Sequence, residues 1–290
     1  MPGQARARAL IRGSLRDSGS ADAVWSRVSS AVYRLERAVG RGDPLVPPRH
    51  LRNVGGGDFS SVGERVLEQL ISIGGLRRDA RVLDIGCGSG RVAIPLTRYL
   101  SSGSYTGFDI SAAAIAWCQA ELTSRFPSFT FDHLDVANGH YNRSGQIDAA
   151  DVRLPYADGS FDFAFATSVF THLLPRQIIH YADELSRVLR AGGVVFATFF
   201  LLNPASESRL ASGAADIELP AVVRDEKLGL EYRAMEARRP ERAVAFPEMF
   251  VQETFGPTRW SAPGVHPGSW SGGGPVDHYQ DVVIVHRLPG

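Results

Sequence analysis

The stretch Val82-Leu-Asp-Ile-Gly-Cys-Gly-Ser-Gly-Arg91 decides the fold of this chain. Apolar residues lead into three alternating glycines, and an apolar pattern resumes at Val92, which is typical of a buried strand that turns sharply into a helix. Glycine permits positive φ angles and the close approach of another group to the backbone. Because the start of a helix offers free N–H groups, the turn predicts a binding site for a ligand that carries an anionic group.

The spacing of the glycines separates two classes of ligand. A dinucleotide-binding turn follows the pattern G-x-G-x-x-G/A, but its third small residue would fall here on Arg91. The segment Asp84-Ile-Gly-Cys-Gly-Ser-Gly90 instead resembles the first motif of class I S-adenosylmethionine-dependent methyltransferases. The resemblance implies S-adenosylmethionine as cofactor and S-adenosylhomocysteine as product. It places the methionine end of the cofactor on Gly86, Cys87, Gly88 and Gly90, with Asp84 binding its amino group directly or through water.

The next two predicted strands end in acids. Strand 104–109 ends in Asp109, and Ile110 follows it. Asp109 lies about 20 residues past the glycines, where an acid can accept hydrogen bonds from both ribose hydroxyls. Strand 129–134 leads into Asp135-Val136, and the resemblance implies that a polar residue here binds the adenine amino group. Asp151 is a second candidate for that role, and an insertion separates the two acids.

Two later segments extend the resemblance. Asp151-Val-Arg-Leu-Pro-Tyr-Ala-Asp-Gly-Ser-Phe-Asp162 is similar to the LPF-x-D-x-SFD segment of the family, and Leu189-Arg-Ala-Gly-Gly193 is similar to its L-K-P-G-G turn. The run 161–167 reads as a buried parallel strand, and 279–286 as a final strand. Together they predict an α/β fold: a Rossmann-like, doubly wound, seven-stranded sheet, mostly parallel, with the last strand antiparallel.

The rest of the chain predicts additions to this domain. Residues 1–58 are interpreted as an N-terminal tail and helical cap, with an amphipathic helix over 18–39 whose apolar positions include Val24, Val28 and Leu35. The resemblance implies that residues 59–290 form the methyltransferase domain, with a variable substrate-recognition insertion at about 201–255. We expect the additions to close over the active site, and Phe59 and Thr167 to flank the cofactor. The glycines at 55–57 fit a hinge or a linker equally well.

Composition limits the partners. The formal net charge is zero, so the chain lacks the excess of basic residues that is typical of nucleic-acid-binding proteins. No apolar run is long enough for a membrane span. Two cysteines without a signal peptide predict a cytoplasmic protein. The arginine-rich start to residue 16 fits a tail or a transit peptide. We therefore expect a small-molecule acceptor, with no nucleic-acid or membrane partner. The sequence leaves the oligomeric state open.

The fourth strand leads into Ser168-Val-Phe-Thr-His172-Leu-Leu-Pro175, at the sheet edge where such folds bind ligands. His172 is therefore the candidate general base for an acceptor hydroxyl, with packing or capping as the alternative. Tyr141 and Trp270 are candidates for lining an acceptor pocket, with packing as the alternative, because aromatic residues in Gly/Pro-rich loops serve either role. Asp277 and His278 lack a spaced third ligand, so we expect no metal site.

Arginine in place of lysine suggests a bacterial genome, since Lys227 is the only lysine. The segments around His172 and after Phe199 are similar to bacterial methyltransferases of glycan or natural-product pathways. They predict O-methylation of a sugar or secondary-metabolite hydroxyl. The alternatives are a noncatalytic S-adenosylmethionine-binding regulatory subunit and an NAD(P)-dependent oxidoreductase, which shares the fold and the acid at 109.

Overall fold

The computed structural model describes residues 19–40, 43, 45–52, 56–272 and 278–289. The strands are β1 (Arg81–Ile85), β2 (Ser104–Asp109), β3 (Phe129–His133), β4 (Val136–Ala137), β5 (Ile147–Asp148), β6 (Phe161–Ala166), β7 (Leu189–Phe199), β8 (Leu201–Leu202), β9 (Ala221–Asp225), β10 (Leu230–Ala234), β11 (Val244–Pro247), β12 (Gly264–His266) and β13 (Asp281–His286). The α-helices are α1 (Gly19–Ala38), α2 (Phe59–Ser72), α3 (Ala93–Tyr99), α4 (Ala112–Cys118), α5 (Pro175–Val188), α6 (Pro204–Ser212) and α7 (Glu248–Thr254).

Seven strands form the central sheet, in the order β12-β13-β7-β6-β1-β2-β3. Strands β1, β2, β3, β6 and β7 pair in parallel, whereas β13 is antiparallel to both β7 and β12. Only β13 therefore runs against the other six strands, which confirms the predicted fold class. The carboxyl ends of β1, β2 and β6 lie side by side, because the order of the strands reverses at β1.

The sheet is buried on both faces, as its apolar strands require. One face packs Leu83, Ala164 and Val195 beneath α5, and the other packs Val82, Phe163 and Phe196 beneath α2 and α3. Removing this apolar surface from water contributes about 25 cal/mol per Å². The two layers therefore supply a rigid support for the loops at the carboxyl edge.

The N-terminal helix is present as predicted, but its orientation differs from that of an ordinary amphipathic helix. Ser29 is buried in α1, whereas Val28 and Leu35 are exposed. The backbone N–H of His50, in the short helical turn Arg49–Leu51, donates to Ser29 Oγ at 3.2 Å. The serine side of α1 therefore packs on the protein, and its apolar side faces outward.

The predicted insertion holds a second sheet of four strands, in the order β8-β11-β10-β9. Asp281 joins this sheet to the central one, since its carboxylate accepts the N–H of Leu201 at 2.8 Å, the N–H of Gly268 at 2.8 Å and the indole N–H of Trp270 at 2.6 Å. Trp270 is 1% exposed and stacks near Phe200. It is a packing residue, so its predicted place in an acceptor pocket is wrong.

Two local predictions also differ from the structure. The sequence that follows Ser111 predicts a helix over 112–125, but the α-helix ends at Cys118 and continues as a wider helical turn over Gln119–Thr123. The glycines, prolines and serines of 263–275 predict a loop, but the described part of this segment contains β12. A strand of three residues among glycines and prolines leaves no periodic pattern in the sequence. Among the described helices, none is both long and apolar enough to cross a membrane.

Candidate functional site

The glycine turn that follows β1 is held by the neighbouring strand. The carbonyl of Phe108, in β2, accepts the N–H groups of Gly86 at 2.9 Å and Cys87 at 3.0 Å. The φ angles are +73° at Gly86, +53° at Gly88 and +78° at Gly90, which lie in the left-handed region that favours glycine. A Cβ atom on Gly88 would meet nothing within 4 Å, so open space lies in front of this part of the turn.

Asp109 lies beside the turn at the end of β2. Its Oδ2 accepts the N–H of Gly88 at 2.8 Å, and its Oδ1 accepts the N–H of Ser111 at 2.8 Å. Burial raises the pKa of Asp109, and these backbone hydrogen bonds oppose the increase. Since each carboxylate oxygen can accept two hydrogen bonds, both oxygens keep a lone pair for a ligand with two adjacent hydroxyls.

Asp84 lies one residue before the end of β1 and is 2% exposed. The hydroxyl of Tyr105 donates to its Oδ2 at 2.6 Å. Burial raises the pKa of Asp84 to about 8, the hydrogen bond from Tyr105 lowers it, and the charge of Asp109 raises it further. The donors to the two carboxyl groups are neutral, so they do not offset the negative potential that these groups produce when they are ionised. This potential favours a cation and opposes a pyrophosphate.

The other residues predicted at the cofactor differ in accessibility. Val136 is buried in the core, and Ile110 and Thr167 are half-buried. Cys87 is buried, and its thiol contacts the carbonyl of Gly88 at 3.7 Å. Phe59 is buried beneath the guanidinium of Arg91, 5.2 Å from the ring centre. Phe59 therefore supports the turn through Arg91.

The structure separates the two candidate adenine acids. Asp135 is half-buried just after β3, and the residue before it, Leu134, donates its N–H to the carbonyl of Asp109 at 3.1 Å. The amide of Asn142 donates to Asp135 Oδ1 at 2.9 Å. Asp151 is exposed. Of the two acids, Asp135 therefore lies at the strand end next to Asp109, the acid that is predicted to bind the ribose.

His172 lies in the short turn Phe170–His172 after β6, next to the insertion. Its Nδ1 is 2.9 Å from the carbonyl of Glu241, so Nδ1 carries the proton and Nε2 is left as an acceptor. Burial lowers the pKa of His172 to about 4, and the backbone contact with Glu241 opposes this shift. The ring is therefore neutral at pH 7.

Two aromatic residues of the 138–147 loop pack around His172. The rings of Tyr141 and His172 meet edge-on at 5.1 Å, and His140 stacks parallel to His172 at 6.5 Å. Burial raises the pKa of Tyr141 and the charge of Asp109 adds to the increase, so the phenol lies within electrostatic range of Asp109. His172 and Tyr141 therefore adjoin the same edge of the sheet as the glycine turn.

Sequence reasoning missed Ser168 and Val169. Ser168 has a φ of +57°, which costs a non-glycine residue energy. Its N–H donates to Thr198 Oγ1 at 2.7 Å, and its hydroxyl donates to Gln280 Oε1 at 3.0 Å. The next side chain, Val169, lies so close to the turn that a Cβ on Gly86 would be 2.5 Å from its Cγ2. The strained backbone thus positions Val169 against the glycine turn, and no sequence pattern signals it.

The comparison with known families identifies the central part of the chain. Residues 83–197, from β1 into β7, match the family described as "Methyltransferase domain". Residues 83–197 are a class I S-adenosylmethionine-dependent methyltransferase domain. Their cofactor is S-adenosylmethionine, as the glycine turn predicted.

Relatives share this methyltransferase domain with the chain. Phthiotriol/phenolphthiotriol dimycocerosates methyltransferase 1 of Mycobacterium ulcerans is 34% identical over 137 residues, which cover 47% of this chain and 42% of that protein. Methyltransferase GfsG of Streptomyces halstedii is 32% identical over 141 residues, 47% of this chain and 43% of that protein. The chain thus matches less than half the length of these relatives.

A solved structure shares the fold. The PH0226 protein from Pyrococcus horikoshii OT3 superposes with a TM-score of 0.52 at 17% identity, covering 81% of this chain and 93% of that one.

The residues of the methyltransferase domain fit S-adenosylmethionine on physical grounds. The cofactor is a cation at its sulfonium and ammonium groups. The site holds two carboxyl groups, the buried one of Asp84 and the half-buried one of Asp109, and both accept hydrogen bonds from neutral donors. Gly88 leaves open space where a Cβ would stand, which suits the close approach of a ligand. In the described part of the chain, no group of three or more His, Cys, Asp or Glu side chains could hold a metal ion. Asp277 lies outside the described residues.

Proposed function

We propose that the protein is a methyltransferase that methylates a hydroxyl group of a small molecule, a sugar or a secondary metabolite, with His172 as the general base. The observation that carries this proposal is the contact between His172 Nδ1 and the Glu241 carbonyl. It sets the tautomer in which Nε2 accepts a proton. A neutral imidazole in this position suits the removal of a proton from an alcohol or phenol.

The residues around the glycine turn would bind and orient the cofactor. Bound S-adenosylmethionine supplies an electrophilic methyl group on its sulfonium. Asp84 would hold the cationic methionine end, Asp109 the ribose hydroxyls and Asp135 the adenine amino group. The turn residues Gly86, Cys87, Gly88 and Gly90 would contact the methionine end through their backbone.

The acceptor would bind between His172 and the 138–147 loop. The amide of Asn138 donates to the carbonyl of His172 at 2.9 Å, which ties the loop to the base. The rings of His140 and Tyr141 offer flat apolar surface to a sugar ring or an aromatic acceptor. Both named relatives are methyltransferases, and one is described as acting on dimycocerosates, which supports a metabolite acceptor.

Calorimetric titration with S-adenosylmethionine and S-adenosylhomocysteine tests the cofactor, with NADH alongside. Methyl transfer from labelled cofactor to a panel of sugars and phenols then tests the reaction, in the wild type and in His172→Ala. His286→Ala is the matched control, because His286 is exposed on β13. The proposal predicts saturable binding of the first two ligands and transfer that His172→Ala abolishes and His286→Ala leaves intact.

Three results would contradict the proposal in different ways. Binding of NADH instead of S-adenosylmethionine would indicate an oxidoreductase. Binding of S-adenosylmethionine without transfer to any acceptor would indicate a noncatalytic binding subunit. Transfer at an unchanged rate in His172→Ala would remove the general base while leaving the methyltransferase.

A further inference from the structure

Helix α1 packs on the protein with its polar side. At 100° per residue, Ser26, Ser29, Ser30 and Tyr33 fall on one side of the helix. Four apolar residues fall on the opposite side, and Val39 continues their row just past the helix end. Ser29 is buried, and Ser26, Ser30 and Tyr33 are half-buried. The apolar residues, called here the valine ridge, are between 47% and 65% exposed: Val24, Val28, Val32, Leu35 and Val39. Valine and leucine on a monomer's surface usually occur singly, so this continuous ridge indicates a binding surface.

Polar contacts hold α1 in this orientation. Ser29 Oγ accepts the N–H of His50 at 3.2 Å, and the guanidinium of Arg37 pairs with Glu121, in the turn after α4, at 2.6 Å. Leu51, next to His50, accepts the hydroxyl of Ser89 from the glycine turn at 2.7 Å. The outward direction of the ridge therefore follows from contacts to the methyltransferase domain.

Arginines border the valine ridge on both sides. Arg27 and Arg34 follow one side of it along α1, where both are exposed. On the other side, Arg49 and Arg52 line a cleft of about 220 Å³ together with Trp25 and Glu36. The four arginines outnumber Glu36, so the border is basic. The sequence before the helix adds four arginines and no acid up to residue 16.

We propose that α1 docks on the surface of an anionic phospholipid membrane. An apolar ridge with a tryptophan at its side and arginines along both borders is the pattern of a helix that lies in the membrane interface. The ridge enters the acyl boundary, and the arginines meet lipid phosphates. From the sequence we expected no membrane partner, because no apolar run is long enough for a membrane span, but a helix that lies in the interface needs no such run. This inference concerns binding and stands apart from the proposed reaction.

The experiment is co-sedimentation of the full chain with phospholipid vesicles. One set contains phosphatidylcholine alone, and the other contains phosphatidylcholine with phosphatidylglycerol. The wild type is compared with Val28→Asp/Val32→Asp, which charges the ridge, and with Arg27→Gln/Arg34→Gln, which removes half of the basic border. Val222→Asp is the matched control, because Val222 is 59% exposed on β9. Titration with S-adenosylmethionine checks that each variant is folded.

The wild type and Val222→Asp should sediment with the phosphatidylglycerol vesicles and release as salt is added. The ridge variant should lose binding, and the arginine variant should bind on the order of tenfold more weakly. Cofactor affinity should be the same in all variants. The proposal is overturned if the wild type fails to sediment, or if the ridge variant sediments as well as the wild type. It is also overturned if light scattering shows a dimer that Val28→Asp/Val32→Asp converts to a monomer, because the ridge then binds a second copy.

Discussion

The hydroxyl of Tyr105 and the carboxylate of Asp84 form a 2.6 Å hydrogen bond inside the methyltransferase domain, on neighbouring strands β2 and β1. Burial raises the pKa of the carboxyl to about 8 and the pKa of the phenol well above its usual value. Without a bound ligand, the carboxyl of Asp84 is therefore half-protonated near pH 8. A cationic ligand would favour its ionised form.

This pair predicts a pH-dependent stability. Because the folded state holds the Asp84 proton more tightly than the unfolded state, its contribution to the free energy of unfolding is complete below about pH 4 and is lost as the pH rises through 8. We expect the cofactor-free protein to lose at most about 1.4 kcal/mol per pH unit over this window. Urea unfolding at several pH values measures this slope. Asp84→Asn should flatten it, and an equal slope in the variant would contradict the assignment.

Asp109→Ala should weaken S-adenosylmethionine binding by at least tenfold. The substitution removes the predicted ribose acceptor together with the bond to Gly88 N–H, and hydrogen bonds to charged groups contribute about 1.5–3 kcal/mol. Calorimetric titration measures the change. Asp151→Ala is the comparison, since Asp151 is exposed and should have no effect if Asp135 binds adenine. Unchanged affinity in Asp109→Ala would rule out the ribose assignment.

Gly88→Ala should abolish cofactor binding while costing about 1 kcal/mol of stability. The left-handed φ of +53° penalises any Cβ, and this Cβ would occupy the open space in front of the turn. Gly213, at the end of α6, is the matched control because its φ is +70° and its Cβ would also meet nothing. Gly213→Ala should lose similar stability and keep cofactor affinity. Thermal melts and titration separate the two effects.

His172→Ala should lower kcat by about 10²–10⁴ and leave the Kd of S-adenosylmethionine unchanged, if the histidine acts as general base. Since burial holds the pKa of His172 near 4, the rate should be independent of pH from about 6 upward and fall only below about pH 5. Rate measurements at saturating cofactor across this range test the prediction. A rate that titrates near pH 6.5 would show that His172 is not held in its buried position.

Asp281→Asn should lower stability by about 2–3 kcal/mol without changing cofactor affinity. The carboxylate accepts three donors, one from strand β8 and two from the loop after β12, and an amide would turn its NH₂ group toward one of them. For a chain of this size the melting temperature should fall by roughly 5–10 °C. Asp183→Asn, which breaks the exposed pair with Arg259, should change stability by less than about 1 kcal/mol.

Much of the fold and part of the site follow from local patterns. The strand before the glycine turn and the acid at the end of β2 were both predicted, because their residues are adjacent in sequence. The Gly-Gly turn predicted at 192–193 is wrong, because both glycines lie inside β7, where the register of its pairing with β6 shifts. The contact between His172 and the carbonyl of Glu241 spans 69 residues, and no pattern links the two. The sequence also left open whether Trp270 lines a pocket or packs in the core, because the residue that binds it, Asp281, lies on a strand eleven residues later.

The sequence by itself determined the class of the fold, because hydrophobic periodicity and turn glycines act over a few residues, and the resemblance of the glycine turn to a known family predicted the cofactor. Only the tertiary structure decided the tautomer of His172, the burial of Asp84 against Tyr105 and the outward face of α1. Those properties depend on which surfaces meet when the chain folds. An amphipathic pattern states that a helix has two faces, and only packing decides which of them the protein covers.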